Sequence, residues 1–93
     1  MREKAIEEYL RNRVKASGGI AYKFTSPGNA GVPDRLVLLP DGRVVFVELK
    51  ASGKKPTALQ ELQQKRIAGL GFKVLVIDSK EQVDEFIKEM LGN

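Results

Sequence analysis

Two apolar runs joined by a short polar turn constrain the fold of this chain more than any other feature. Residues 35–39 and 44–47 have the length and β-branched content of strands, and a Pro-Asp-Gly-Arg turn separates them. This pattern predicts an antiparallel hairpin. We expect a three-residue loop in which Pro40 presets φ, Asp41 adopts the bridge region and Gly42 takes the left-handed position of a G1 bulge.

The loop length determines which residues face each other across the hairpin. A three-residue loop pairs Leu39 with Arg43, and counting back along the ladder places Asp34 opposite Glu48, with Cα atoms about 5 Å apart. Lys50 lies on the same face as Glu48 because strand side chains alternate. A two-residue loop would shift the register by one and turn Asp34 to the opposite face. The pairing of Asp34 with Glu48 therefore depends on the bulged turn.

Two adjacent carboxylates repel each other, and a cation would hold both of them ionised. The chain has no Cys and no His, which argues against zinc, and oxygen-only ligands are typical of Mg²⁺. We therefore expect Asp34 and Glu48 to bind Mg²⁺, with the Leu49 carbonyl as a further ligand. When a phosphodiester is bound, such an ion lowers the pKa of a bound water and stabilises the negative charge that develops on the phosphorus centre. Lys50 would orient the attacking hydroxide or neutralise the charge of the phosphate.

This pattern indicates a metal-dependent nuclease, although a simpler interpretation exists. In that interpretation Asp34 ends a loop, and Glu48 and Lys50 form a solvated pair on a half-exposed strand.

The first helix offers one more acid to the site. Apolar residues recur every four positions from Ile6 to Val14 and predict an amphipathic helix over residues 2–16. Glu3 falls within about 20° of the centre of this apolar stripe and Glu7 within about 60°. We expect Glu3 to be the helix acid, with Glu7 as the alternative. Either residue could instead only complement the helix dipole.

The remaining segments complete an α/β pattern. Residues 20–24 predict a short strand, and residues 25–33 a loop rich in turn-forming residues that enters the site. Residues 59–70 predict a second helix. Residues 72–77 predict a strand parallel to one of the others, and Ser79 caps a last helix with one apolar face.

In this order and spacing, the sequence resembles the VRR-NUC (virus-type replication-repair nuclease) domain of the PD-(D/E)XK nuclease superfamily. The matching stretches are the helix with Glu3 and residues 26–34, 45–50, 54–60 and 71–74. The resemblance implies a single restriction-endonuclease-like α/β domain over residues 1–93. Its elements would be a helix, three antiparallel strands, a helix, a strand and a helix, with a mixed central sheet.

The resemblance also implies an activity and a supporting set of residues. It implies a Mg²⁺-dependent, structure-selective DNA endonuclease that acts as a homodimer on branched DNA such as four-way (Holliday) junctions, with Mn²⁺ able to replace Mg²⁺. Glu3, acting through water, and Gln60 on the second helix would support the site. Gln60 has an equal alternative, since Thr57-x-x-Gln60 also fits a capping box. Gln63 and Gln64 are further candidates for polar contacts.

Charge is compatible with a phosphate-rich partner. The net charge is +4 and the isoelectric point is about 9.5. Plausible contacts to the DNA backbone are the basic residues Arg11, Arg13, Lys54, Lys55 and Lys65, although any one of them could be only a solubilising surface charge. No signal peptide or long apolar stretch is present, so we expect a cytoplasmic protein without membrane contact. The resemblance implies that a bacterium or a phage encodes it.

Two alternatives to a junction-cutting enzyme stay open. One is a non-catalytic basic DNA-binding module on the same scaffold. The other is a repair nuclease that acts on flaps, ends or RNA.

Overall fold

A computed structural model describes residues 1–92 of the chain, in which four strands form one sheet and three helices pack on it. In chain order the elements are α1 (Glu3–Ala16), β1 (Ile20–Lys23), β2 (Arg35–Leu39), a 3₁₀ turn (Pro40–Gly42), β3 (Arg43–Leu49), α2 (Ala58–Gly69), β4 (Lys73–Ile77) and α3 (Lys80–Leu91). The predicted α/β fold and its order of elements are confirmed. None of the helices in this part of the chain has the length and apolar character needed to cross a bilayer.

The sheet is mixed and its strands follow in the order β1-β2-β3-β4. β1 pairs with β2 and β2 with β3 in antiparallel fashion, while β4 runs parallel to β3. The parallel pair needs a crossover connection, which α2 provides. Leu39 faces Arg43 and Leu36 faces Phe46 across the hairpin, so the predicted register is confirmed.

The hairpin loop has the predicted length but not the predicted conformation. Asp41 has φ 67° and ψ 27°, in the left-handed region, and not in the bridge region as expected. Gly42 is also left-handed, with φ 73°. Aspartate tolerates this region because its short polar side chain can bond locally, and two left-handed residues after Pro40 reverse the chain within the loop. Arg43 Nε donates to the Pro40 carbonyl at 3.1 Å and closes the turn.

The two faces of the sheet are covered unequally. The inner face carries Val37, Val45 and Val47, which pack against the apolar sides of α1 and α3. The opposite face, called the outer face, carries Phe46, whose ring meets Phe24 and Phe72 edge-on at centroid distances of 5.6 and 5.8 Å. On this face α2 packs mainly on β4. The β1 end of the outer face is therefore open to solvent.

The second helix turns its leucines outward. Gln63 is its buried residue, whereas Leu59, Leu62 and Leu70 are exposed. Gln63 Nε2 donates to the Ala30 carbonyl at 3.3 Å, so α2 docks on the loop before β2 through a polar contact. An amide inside and leucines outside reverse the usual pattern of a surface helix.

Two glycines of this loop allow a matched test of that docking. Gly31 has φ +88°, and a Cβ there would lie 3.0 Å from backbone atoms of Leu59, whereas Gly28 has φ +80° and open space around it. Alanine at either position incurs a left-handed strain of about 1–2 kcal/mol. We expect Gly31→Ala to lower the free energy of unfolding by a further ~1–3 kcal/mol because it also meets the helix backbone. Urea denaturation measures both variants, and equal losses would contradict the close packing of loop and helix.

Candidate active site

The candidate site lies where β2 begins and β3 ends. Asp34 immediately precedes β2, and the hairpin register, continued by one residue, places it opposite Glu48 on the outer face. Asp34 Oδ2 accepts a hydrogen bond from the Leu49 N–H at 2.8 Å. The Asp34 carbonyl accepts another from the Phe24 N–H at 2.8 Å. These bonds hold Asp34 between the two neighbouring strands.

Glu48 is a buried acid without a full set of partners. The residue is only 1% exposed, and its Oε1 has no hydrogen-bond partner within the described chain. Its Oε2 lies 3.6 Å from Lys50 Nζ. Burial, followed by the charge of Asp34, raises the pKa of Glu48 to about 7, and Lys50 opposes this rise. A buried carboxylate with one unpaired oxygen is costly unless a cation completes its surroundings.

Burial also raises the pKa of Asp34, while the hydrogen bond from the Leu49 N–H acts in the opposite direction. Because the pKa values of both acids are raised, the pair is short of positive charge. Lys50 supplies part of it.

The first helix brings both Glu3 and Glu7 close enough for their charges to act on this pair, but Glu7 also has a partner of its own. Glu7 Oε2 accepts a hydrogen bond from Arg35 Nε at 2.9 Å, and Arg35 Nη1 donates to the Ala21 carbonyl at 3.0 Å. Glu7 is thus engaged in an ion pair between α1 and β2. Glu3 lies one turn earlier, where burial and the charge of Asp34 raise its pKa. The charge of Glu3 in turn contributes to the raised pKa of Glu48.

The donor set fits a hard divalent cation. Within residues 1–92, no group of three or more acidic, histidine or cysteine side chains is gathered closely enough to hold a metal ion. The side chains that could hold such an ion are those of Asp34 and Glu48, with the Leu49 carbonyl as a possible addition. Mg²⁺ suits such a set, because it commonly takes one or two carboxylates and fills its remaining positions with water and substrate phosphate. The unpaired Oε1 of Glu48 supports this fit.

The glutamines of α2 have structural contacts. Gln60 Oε1 accepts from the Thr57 N–H at 2.9 Å, and Thr57 Oγ1 accepts from the Gln60 N–H at 3.2 Å. Both bonds of the capping box are present. Gln63 tethers the loop that precedes Asp34, and Gln64 Nε2 is buried without a partner in the described residues.

The predicted DNA-contacting residues fall into two groups. Lys54 and Lys55 follow directly on the segment that leaves the site after Lys50. Arg11 and Arg13 lie about 12 and 15 Å along α1 from Glu3. The three predicted contacts outside the site segment are Arg11, which is exposed, Arg13, which pairs with Asp84 at 3.3 Å, and Lys65, which lines a cavity between α2 and β4.

One basic residue that lies near the site was not predicted from the sequence. Lys23, at the end of β1, lies close enough to Asp34 for its charge to lower the pKa of that carboxyl. It faces Arg35, the neighbour of Asp34, across the β1–β2 pair. Only the register of that pair could have identified it, and the long loop between the strands hides the register.

The raised pKa of Glu48 predicts how stability depends on pH without metal. Its pKa rises from 4.5 to about 7, so the folded protein binds this proton more tightly than the unfolded chain does. The free energy of unfolding should therefore fall as pH increases from about 4.5 to 7, by at most about 3 kcal/mol. Glu48→Gln should remove most of this slope, whereas Glu8→Gln on the exposed side of α1 should keep it. Urea denaturation in EDTA across this range measures the slope, and a wild-type stability that rises with pH would contradict the assignment.

Comparison with known proteins identifies relatives of this chain. "Putative nuclease p44" of Acyrthosiphon pisum secondary endosymbiont phage 1 is 53% identical over 81 residues, which cover 87% of this chain and 87% of that protein. A solved structure described as "VRR_NUC domain" is 37% identical, with a TM-score of 0.87 over 92% of this chain and 94% of the other. No family model matches the chain. The relative and the shared fold together show that this chain belongs to the VRR-NUC family of nucleases.

Proposed function

We propose that this protein is a DNA endonuclease that hydrolyses phosphodiester bonds with the help of a divalent cation at Asp34 and Glu48. The observation that carries the proposal is the buried carboxylate of Glu48, which has an unpaired oxygen beside Asp34 and Lys50. Negative charge at this position has no benefit for a protein that only binds an anion. It is useful when a cation and a phosphate must meet.

Each side chain has a distinct role in this mechanism. Asp34 and Glu48 would hold Mg²⁺ or Mn²⁺, which when bound activates water and stabilises negative charge on the phosphate. The Leu49 N–H fixes the Asp34 carboxylate, so its free oxygen keeps one direction. The Lys50 ammonium, next to Glu48, neutralises charge that develops on the phosphate. Glu3 would support the bound ion through a water molecule, as the family resemblance implies.

The proposed substrate is branched DNA such as a four-way junction. Family resemblance supports this choice, and a two-fold symmetric dimer would place one site on each of two opposing strands of a pseudo-symmetric junction. Lys54 and Lys55, beside the site, would contact the backbone of the bound strand in a largely sequence-independent manner.

The open outer face supports a homodimer. Tyr22 is 53% exposed and Leu62 is 44% exposed, and α2 leaves the β1 end of the sheet uncovered. Apolar patches of this kind mark interaction sites. A second copy suits the patch because one chain offers both an uncovered sheet face and an uncovered leucine stripe, which a two-fold axis can bring together. The apolar side of α3 is unavailable, because Val83, Phe86 and Ile87 are buried in the core.

A cleavage assay tests the catalytic proposal. Labelled four-way junction, flap, duplex and single-stranded DNA, with an RNA duplex, are incubated with Mg²⁺, Mn²⁺ or EDTA. Asp34→Asn and Lys50→Ala should each lower kcat by about 100-fold or more, since both remove groups that act on the charged transition state. Asp41→Asn at the hairpin tip and Lys88→Ala on α3 are matched controls and should cleave like the wild type.

The outcomes separate the candidate functions. Cleavage that survives Asp34→Asn, or that proceeds in EDTA, would contradict the mechanism. Binding without cleavage in every metal would favour the non-catalytic module, for which Asp34→Asn should increase affinity. Faster cleavage of flaps, ends or RNA than of junctions would favour the repair nuclease.

The dimer proposal has its own test on α2. Leu62→Glu places a charge in the exposed leucine stripe and should convert the dimer to a monomer, because it buries an unpaired charge in an apolar contact. Ala68→Glu places the same charge on the side of α2 that lines the cavity beside Val74, so it should leave the dimer intact. Light scattering after size exclusion gives the mass of each variant. A wild-type protein that is monomeric at micromolar concentration would overturn the proposal.

A further inference from the structure

The segment between Lys50 and α2 is short, polar and exposed, yet hydrogen bonds hold it in place. The Gly53 N–H donates to Asp78 Oδ2 at 3.1 Å, and the Ser52 hydroxyl donates to the Asp78 carbonyl at 3.1 Å. The Ser52 N–H donates to the Met1 carbonyl at 3.1 Å. The path of this segment is therefore set by Asp78 and by the residue that leads into α1.

Asp78 is itself well anchored at the end of β4. Its N–H donates to Gln82 Oε1 in the first turn of α3 at 2.6 Å. The residue before it, Ile77, accepts a hydrogen bond from the Lys50 N–H at 3.0 Å. The Asp78 carboxylate thus extends from a rigid junction of β3, β4 and α3 toward the segment that follows the candidate site.

Two lysines follow the anchored residues. The Lys54 N–H donates to the Ala51 carbonyl at 2.9 Å, which folds the segment into a turn directly after Gly53. Neither Lys54 nor Lys55 forms an ion pair with an acidic side chain within residues 1–92. Their charges are available to an external anion, and the turn that carries them depends on the contacts to Asp78.

We infer that Asp78 is a positioning residue for DNA binding, which acts by holding the Ser52–Lys55 turn so that Lys54 and Lys55 meet the phosphate backbone beside the site. This inference rests on the proposed function, because it names how the same site grips its substrate strand. Asp78 contacts neither the phosphate nor the metal. Its carboxylate serves as a hydrogen-bond acceptor, and its negative charge by itself would repel DNA.

That opposition between charge and geometry gives a sharp test. Anisotropy of a fluorescently labelled four-way junction is measured in EDTA, where no cleavage takes place, for the wild type, Asp78→Ala, Asp78→Asn and Ser52→Ala. Removing a negative charge should tighten DNA binding if charge alone matters. We expect Asp78→Ala instead to weaken binding by about three- to ten-fold, because the lysine turn is released. Asp78→Asn should bind like the wild type or tighter, since its amide oxygen still accepts the Gly53 N–H.

A background without the two lysines completes the experiment. In the Lys54→Ala/Lys55→Ala protein, adding Asp78→Ala should cause no further loss of affinity, because the residue acts through these side chains. Ser52→Ala should weaken binding about two-fold without any change of charge. In the cleavage assay with Mg²⁺, Asp78→Ala should raise KM and leave kcat unchanged. Thermal unfolding of each variant verifies that it is folded.

The contrary results are equally specific. Unchanged or tighter binding by Asp78→Ala, equal losses for Asp78→Ala and Asp78→Asn, or a full loss that persists without the lysines would each overturn the positioning role. A fall in kcat with unchanged KM would overturn it too. A wild-type protein that cleaves but shows these contrary results leaves the nuclease proposal intact, whereas one that neither binds nor cleaves DNA overturns both.

Discussion

The register of one hairpin governs the whole arrangement. Three loop residues between Leu39 and Arg43 place Asp34 opposite Glu48 on the same face of the sheet, and one residue fewer would send Asp34 to the other face. The rest of the molecule supports this pairing. β1 holds Asp34 from one side through Phe24, and β3 holds it from the other through Leu49. The candidate site therefore depends on a turn at the opposite end of the hairpin.

The fold accepts an electrostatic penalty at this point. Three carboxyl groups, those of Glu3, Asp34 and Glu48, have raised pKa values, and burial is the first cause for each. The charge of Asp34 adds to the rise for Glu3 and Glu48, and the charge of Glu7 adds to it for Asp34. Nearby cationic side chains moderate this penalty. Lys50 lies beside Glu48, Lys23 lowers the pKa of Asp34, and Arg35 forms an ion pair with Glu7. The charge that remains is available to a cation, as expected where perturbed acids cluster at functional sites.

Local chemistry explains what the sequence could and could not predict. Turn residues and alternating strands identified the hairpin, its register and the Asp34, Glu48 and Lys50 group, because each depends on neighbours close in the chain. The prediction that Asp41 adopts the bridge region was wrong, because a turn of fixed length can reverse the chain in more than one backbone conformation. The inward Gln63 and the contribution of Lys23 depend on how α2 and β1 pack across long loops, which spacing does not encode. The ion pair between Glu7 and Arg35, which favours Glu3 as the helix acid, likewise joins α1 to β2 in a way that spacing does not encode.

In the proposed mechanism, Asp34 and Glu48 together form one site for a hard divalent cation. Calorimetric titration of Mn²⁺ into the DNA-free protein near pH 7 tests it most directly. One binding event per chain is expected, with release of protons because Glu48 is partly protonated at that pH. Asp34→Asn and Glu48→Gln should each abolish it, and Glu8→Gln should not. Binding that is unchanged in either of the first two variants would contradict the account.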